Sequence, residues 1–561
     1  GYGMSGKSFQ KKAWTALGIS LASLLVLSAC SSNSGKKASG GGSTPKDTVV
    51  LGTTDKIVTI DPAGSYDNGS FTVENNVYPF LYNFPYGSDV PEPDIAAEKG
   101  AFSEDGLSYT VKLKEGLKFA NGHDLTASDV VFSFERVVTI GENGKDLGNG
   151  PSSLLADMES VEATDDTTVV FHLKTANNVT WEQVLATPAG PIVDEEVFSP
   201  DDLTPDADIV KAKAFAGPLV IDTYAINDSV AYSKNEDYQG IYGDAAAAKY
   251  QVKYYADASN MKLDIQNNKI DVAFRSLTAT DIEDLEAKDN VKVHEGPGGE
   301  LRYMTFNLAI QPFGTATEEA DEAKALAVRQ AIAHSINRQE IADNVYKGTY
   351  DPAYSFVPSS FTGFTASLKE AYGDGQGGAD VDKAKEVLEA AGVKTPLAIN
   401  IQYNGDHYGS SSPDEYAAVK QQLEETGLFT VNLAQTEWST YSKDRVITDD
   451  SNGSYPIYQL GWFPDFSDAD NYLTPFFGKD NFIHNGYDSK EVQDQLAAEI
   501  SDLDHDSRTK KIEGLQTTLA KDLPTLPLLE GKQIAVSGTD VKGVEDTLDA
   551  SFKFRYGAIS K

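Results

Sequence analysis

The segment with the most to say about chemistry is Gly461-Trp462-Phe463-Pro464-Asp465-Phe466-Ser467-Asp468-Ala469-Asp470-Asn471-Tyr472, where three carboxylates follow a tryptophan. Carboxylates held this way can pair with a cation or accept hydroxyl hydrogen bonds, or they can form a solvated turn beside a core aromatic. Other spacings point to chemistry that their context does not support. Asp502, Asp504, Asp506 and Glu513 have calcium-loop spacing, but Ser507 replaces the required glycine and Arg508 and Lys510 bring in positive charge. Gly373 to Gly378 fits a dinucleotide fingerprint without a preceding strand. Gly1 to Ser8 fits a phosphate loop, yet nothing precedes it and an apolar run follows, with Met4 expected as the start. The histidines at 123, 172, 294, 334, 407, 484 and 505 form no His-x-x-x-His or Glu-x-x-His pair, and no Gly-x-Ser-x-Gly elbow occurs. No catalytic residue, metal or cofactor is therefore expected.

The single cysteine, Cys30, excludes an intrachain disulfide and a thiolate metal cluster. It stands after a basic stretch (Lys7, Lys11, Lys12) and an apolar run from Ala13 to Leu27, too short for a comfortable membrane span. Leu27-Ser28-Ala29-Cys30 resembles the bacterial lipobox, which implies cleavage before Cys30 and a lipid anchor on its sulfur. Residues 1–29 are then a signal peptide, and 30–46, rich in Gly, Ser and Lys, a lipidated tether at the outer face of the cell membrane. The net charge of −38 argues against nucleic acid as a partner, because binding phosphates needs clustered Lys and Arg. With 40% apolar residues the body is globular, and its length calls for two or three lobes.

The elements that must position these residues alternate irregularly between strand and helix patterns, as expected for an α/β chain with more than one sheet. Thr126-Ala127-Ser128-Asp129 forms a capping box ahead of Val130, Phe134 and Val137. Helices are expected near Glu322–Tyr346, Asp380–Ala391, Pro413–Thr426, Ser489–Asp502 and Ser507–Leu523. Gly296-Pro297-Gly298-Gly299 is the best internal boundary, able to absorb a hinge rotation.

Tyr109 to Arg136, a strand, a tight turn at Asn121-Gly122 and a capped helix, resembles the signature of the peptide/nickel class of ABC-importer solute-binding proteins, the dipeptide- and oligopeptide-binding family 5. Further segments match in order: Lys234 to Gly240, Tyr303 to Asn307, Val328 to Ile332 with Ser335 to Arg338, and Asp522 to Leu528. Phe215 to Leu219 departs from the usual G-T-G-P-Y. The resemblance implies a two-lobed periplasmic-binding-protein-like clamp of class II type with an extra subdomain inserted in the first lobe. Lobe I is expected at 47–77, 206–299 and 535–561, the subdomain at 78–205, and lobe II at 300–534.

The same resemblance implies that Asp465, three residues after Trp462, receives the α-ammonium of a bound peptide. Trp462 and Trp438 would wall side-chain pockets, and Tyr403, Asn404 and His407 would form another cleft loop. Ser70 and Phe71, with Asp67 to Gly69, would line the first lobe's side. Some relatives carry Arg where this chain has Gln459, so the partner of the ligand's C-terminus stays open. The expected function is a non-enzymatic, monomeric, lipid-anchored receptor that hands peptides to ABC permease subunits. An oligosaccharide or other solute in the same fold is the alternative, and a lipid-anchored hydrolase or a sensory or adhesive lipoprotein represents other classes.

Overall fold

The structure, a computed structural model, describes residues 44–550 and 553–561. Cys30, the signal segment and most of the tether lie outside the described residues. An eleven-stranded mixed sheet runs through the molecule. Its two longest strands, Val291–Phe306 and Thr525–Gly538, lie antiparallel and belong to both halves of the sheet. In the first half, 291–297 pair with 532–538, and pairing passes on through Val272–Phe274 and Thr48–Thr53 to Lys249–Tyr254. In the second half, 301–306 pair with 525–530 and with Ile457–Trp462, which leads to Leu397–Tyr403 and Phe429–Gln435.

Buried apolar side chains fall into groups that follow this division. One group is drawn from Leu301 to Leu529 with Ala550. A second combines Val49–Tyr78, Val193–Phe274 and Ala535–Ile559. A third, from Ala63 to Ala216, surrounds a four-stranded antiparallel sheet. There the strand Thr168–Leu173 alternates buried and half-buried residues, and the helix Ala127–Glu142 lays Val130, Phe134 and Val137 on it, with Phe134 edge-on to Phe171 at 5.0 Å. The helix begins where expected: Thr126 and Asp129 form the capping box. Arg136, buried on this helix, places both terminal nitrogens 2.7 Å from the carboxylate of buried Asp61, tying the third group to the second.

One expectation is corrected. The pattern over 322–346 is two helices, Glu322–Ser335 and Arg338–Asn344. Ile336 is extended, and the Asn337 side chain caps the second helix by accepting from the Glu340 N–H, so a polar cap interrupts an unbroken apolar period. The Gly296–Gly299 cluster, expected as an internal boundary, lies within the long strand, with a register shift between Pro297 and Leu301. Gly298 is needed there: a Cβ would stand 1.7 Å from the Gly531 carbonyl oxygen on the facing strand. The decoys resolve into ordinary structure. Asp504 caps the helix His505–Asp522, and Asp374 accepts from the Gln376 and Gly378 N–H groups. Among the described residues no helix is long and apolar enough to cross a membrane.

On the crossing strand Thr525–Gly538, Glu530 is buried and accepts from the Ser359 N–H at 3.1 Å and from the Ser359 hydroxyl. Burial pushes its carboxyl up from 4.5 to about 7, with Asp351 adding to the push. A folded-state value above the unfolded one means the fold holds the proton more tightly, so stability falls as pH rises through this window. Glu530→Gln removes that slope. Its stability relative to wild type should improve by about 2–3 kcal/mol between pH 5 and pH 8 in urea unfolding, whereas a constant difference refutes the assignment.

Candidate functional site

The strand Ile457–Trp462 enters a turn over 463–472 that separates the roles of its three acids. Asp468 accepts from the Asp470 N–H and takes both terminal nitrogens of Arg508 at 2.8 Å. Burial opposes ionisation, but the guanidinium holds the Asp468 carboxyl below its ordinary range. Asp470 accepts from the Thr474 hydroxyl at 2.6 Å, and burial raises its carboxyl and that of neighbouring Glu499. These two acids build the turn. Asp465 faces the other half of the molecule: its Oδ1 accepts from the Tyr66 hydroxyl and its Oδ2 from Asn471 Nδ2 at 3.2 Å. Its own N–H donates to Asn471 Oδ1 at 2.7 Å, so one asparagine fixes both the backbone and the carboxylate.

The second loop converges on Asn404. It stands at the end of the strand Leu397–Tyr403, fully buried, with Nδ2 donating to Asp406 and to the Thr436 carbonyl. Its Oδ1 accepts from the His407 and Tyr408 N–H groups. Asp406 in turn accepts from the Trp438 N–H at 3.0 Å. His407 and Trp438 stack with ring centroids 3.8 Å apart, and Tyr408 meets Trp438 edge-on at 5.4 Å. The structure thus brings Asn404, His407 and Trp438 together, while Tyr403 stacks on Tyr416. Gln459 accepts from the Asn404 N–H at 2.9 Å and donates to Ser412 at 3.0 Å, a use internal to this half.

Other expected site residues have structural contacts. Trp462 is fully buried in the second half's core against Phe476 and Phe482. The Ser70 hydroxyl accepts from the Val58 and Thr59 N–H groups. It sits in the first turn of the helix Asn68–Val77, which Asp67 caps. Phe71 is buried edge-on to Phe80 at 6.1 Å. Sequence reasoning missed Tyr66, whose only signal was its place beside Asp67. Among the described residues one set could share a metal ion, His123, Asp194 and Glu196, with ligand atoms within 4.8 Å. His123 already bonds Asp194 at 2.7 Å, which raises the imidazole's pKa, and the set lies apart from the residues above.

The two halves meet directly elsewhere too. The Thr362 N–H donates to Asp89 at 2.7 Å and the Val179 N–H to the Ile500 carbonyl at 3.0 Å. A cavity of about 390 Å³, lined by Phe102, Tyr109, Glu182, Leu503 and Arg508 among others, lies between these contacts. With Tyr66 on Asp465, these contacts join the two halves.

Comparison with known proteins places this geometry. The chain is 25% identical to the dipeptide-binding protein DppE of Bacillus subtilis, over 95% of this chain and 96% of that one. The ABC transporter substrate-binding protein CtaP of Listeria monocytogenes has the same fold, with a TM-score of 0.74, 23% identity, and coverage of 93% of this chain and 99% of that one. So does the periplasmic binding protein DppA of Helicobacter pylori in complex with the peptide STSA, with a TM-score of 0.66, 23% identity, and coverage of 91% and 98%. Residues 90–483 match the family described as bacterial extracellular solute-binding proteins, family 5 middle. A mixed α/β body crossed by two shared strands, closed over a carboxylate loop, therefore belongs to the family 5 extracellular solute-binding proteins.

Proposed function

We propose that this protein captures peptides between two lobes by hinge closure and passes them to the transmembrane subunits of an ABC importer. It would work as a monomer held at the outer face of the cell membrane by lipid on Cys30. Lobe I comprises 47–77, 206–299 and 535–561, with 78–205 as its inserted subdomain, and lobe II comprises 300–534. The observation that carries the reading is the Asp465 carboxylate, fixed by Asn471 and meeting the opposite lobe at Tyr66. Every unmodified peptide carries one α-ammonium, and a carboxylate held rigidly at a closing interface can take it whatever the side chains are. The naming of DppE as dipeptide-binding and the STSA complex of DppA support peptides as the ligand class.

Sugar stacking has less behind it, because Trp462 packs on Phe476 and Phe482 and Trp438 on His407. Titration calorimetry with a binding peptide, free and N-acetylated, tests the reading. Acetylation removes the charge that Asp465 is proposed to hold and should abolish binding. Equal binding of both forms sinks the peptide-ammonium reading.

A further inference from the structure

The cavity of about 390 Å³ between the four-stranded sheet and the second half is walled by a carboxylate that a relay of hydrogen bonds holds in place. The Gly100 N–H donates to the Tyr82 hydroxyl at 2.6 Å, and the Tyr82 and Tyr109 hydroxyls lie 2.6 Å apart. Tyr109 gives its one hydroxyl hydrogen to Glu182 Oε2 at 2.6 Å, so the hydrogen between the tyrosines comes from Tyr82. Both tyrosines are buried. Burial, with the Glu182 charge nearby, pushes the Tyr82 hydroxyl up to about 12 and raises Tyr109 as well, so both remain donors near neutral pH. Glu182 thus ends a chain whose every donor points toward it. Its Oε1 is placed differently: among the described residues it meets the Lys99 ammonium at 3.6 Å, beyond hydrogen-bond reach, on a side chain 75% exposed.

The rest of the lining suits an amine on an apolar body. Phe102 and Tyr109 both line the cavity, with ring centroids 4.9 Å apart. Rings beside a carboxylate attract a cation. Leu503, from the second half, and Val90 are large apolar side chains left exposed at the same cavity. Buried Gln183 donates to the Asp89 carbonyl at 3.0 Å while its Oε1 takes no hydrogen bond, so this wall is short of donors rather than acceptors.

The remaining charges do not fill the place at Glu182. Asp89 accepts from the Thr362 N–H, Asp502 from Ser507 and Lys511, and Asp468 from Arg508. Arg508 is engaged by Asp468 and Glu499, and His505 stands exposed beside Asp506. Neither Asp465 nor Tyr66 lines this cavity.

We infer that the cavity is a second binding site, separate from the Asp465 loop, for a small primary amine on an apolar body. The ammonium meets Glu182 Oε1 and the Phe102 and Tyr109 rings, and the body covers Leu503 and Val90. Because Glu182 and Phe102 belong to the 78–205 segment and Leu503 to the second half, an occupant bridges the two beside the Asp89–Thr362 contact. The site stands whatever the Asp465 loop holds.

Titration calorimetry of the full chain with phenethylamine tests it, with hydrocinnamate, a carboxylate of similar size, as the comparison. Wild type should bind the amine and prefer it to the acid by about tenfold or more. Glu182→Gln keeps an acceptor for Tyr109 and should weaken the amine about tenfold or more, the effect of one charge-assisted bond. Phe102→Leu, which leaves the relay intact, should weaken it about threefold. Asp465→Asn should leave the amine affinity unchanged, which separates this site from an ammonium site on the 463–472 turn. Thermal melts check that each variant is folded. The inference falls if wild type does not bind the amine or binds the acid equally well. It falls too if folded Glu182→Gln or Phe102→Leu binds the amine as wild type does, or if Asp465→Asn loses it.

Discussion

Asp465→Asn is expected to weaken peptide binding by about 2–5 kcal/mol, the cost of leaving a desolvated ammonium without its partner. The substitution keeps the shape of the turn. Asn471 can still bond the backbone N–H of residue 465, and Tyr66 can still donate to the side-chain oxygen. What is lost is charge. The Tyr66 hydroxyl and Asn471 Nδ2, both neutral, donate to this carboxylate, and an asparagine in its place would keep those bonds but could not pair with an incoming ammonium. The loss should appear mainly in the dissociation rate, as for other buried charge pairs cut on one side. Calorimetry on wild type and variant with the same peptide checks it, and an unchanged affinity removes Asp465 from the site.

Arg302→Met should cost the fold about 3–5 kcal/mol, because it strands buried carboxylates. Arg302 Nε bonds Glu415 at 2.7 Å, Nη1 bonds Glu300 at 3.1 Å and the Tyr408 carbonyl at 2.8 Å, and Nη2 bonds Ser412 at 3.1 Å. Tyr346 and Tyr350 donate to the same two acids at 2.5 and 2.6 Å. Methionine matches the stem but offers none of these donors. The effect should reach the cleft loop, since Ser412 also accepts from Gln459, which holds the Asn404 N–H. Denaturant unfolding gives the size of the change, and a loss under about 1 kcal/mol, as for an exposed pair, contradicts it.

What could be read in the sequence depended on how local the physics was. The Thr126 capping box and the end of the helix expected at Ala391, where Gly392 follows with φ 77°, are decided within a few residues and were legible. The break at Asn337 was not, because Ile336 continues the apolar period and only the folded chain shows the cap. In the site, Asp465 is singled out by the family resemblance, which places an acid three residues after Trp462. Its difference from Asp468 could not, since that rests on Arg508, forty residues away in the chain. Tyr66 meets its partner across hundreds of residues, where no spacing rule operates.

The two strands shared by both halves also set how the molecule can move. Strands joined by a ladder of backbone hydrogen bonds can bend and twist together, but slipping by one residue would turn every side chain to the wrong face. Under the proposed hinge closure, opening would be confined to flexing about the register shift near Gly298, with sliding forbidden. Tyr66 and Asp465, far apart in sequence, would then be re-aligned on each cycle by the backbone alone: the ligand would choose when the halves meet, and the ladder where.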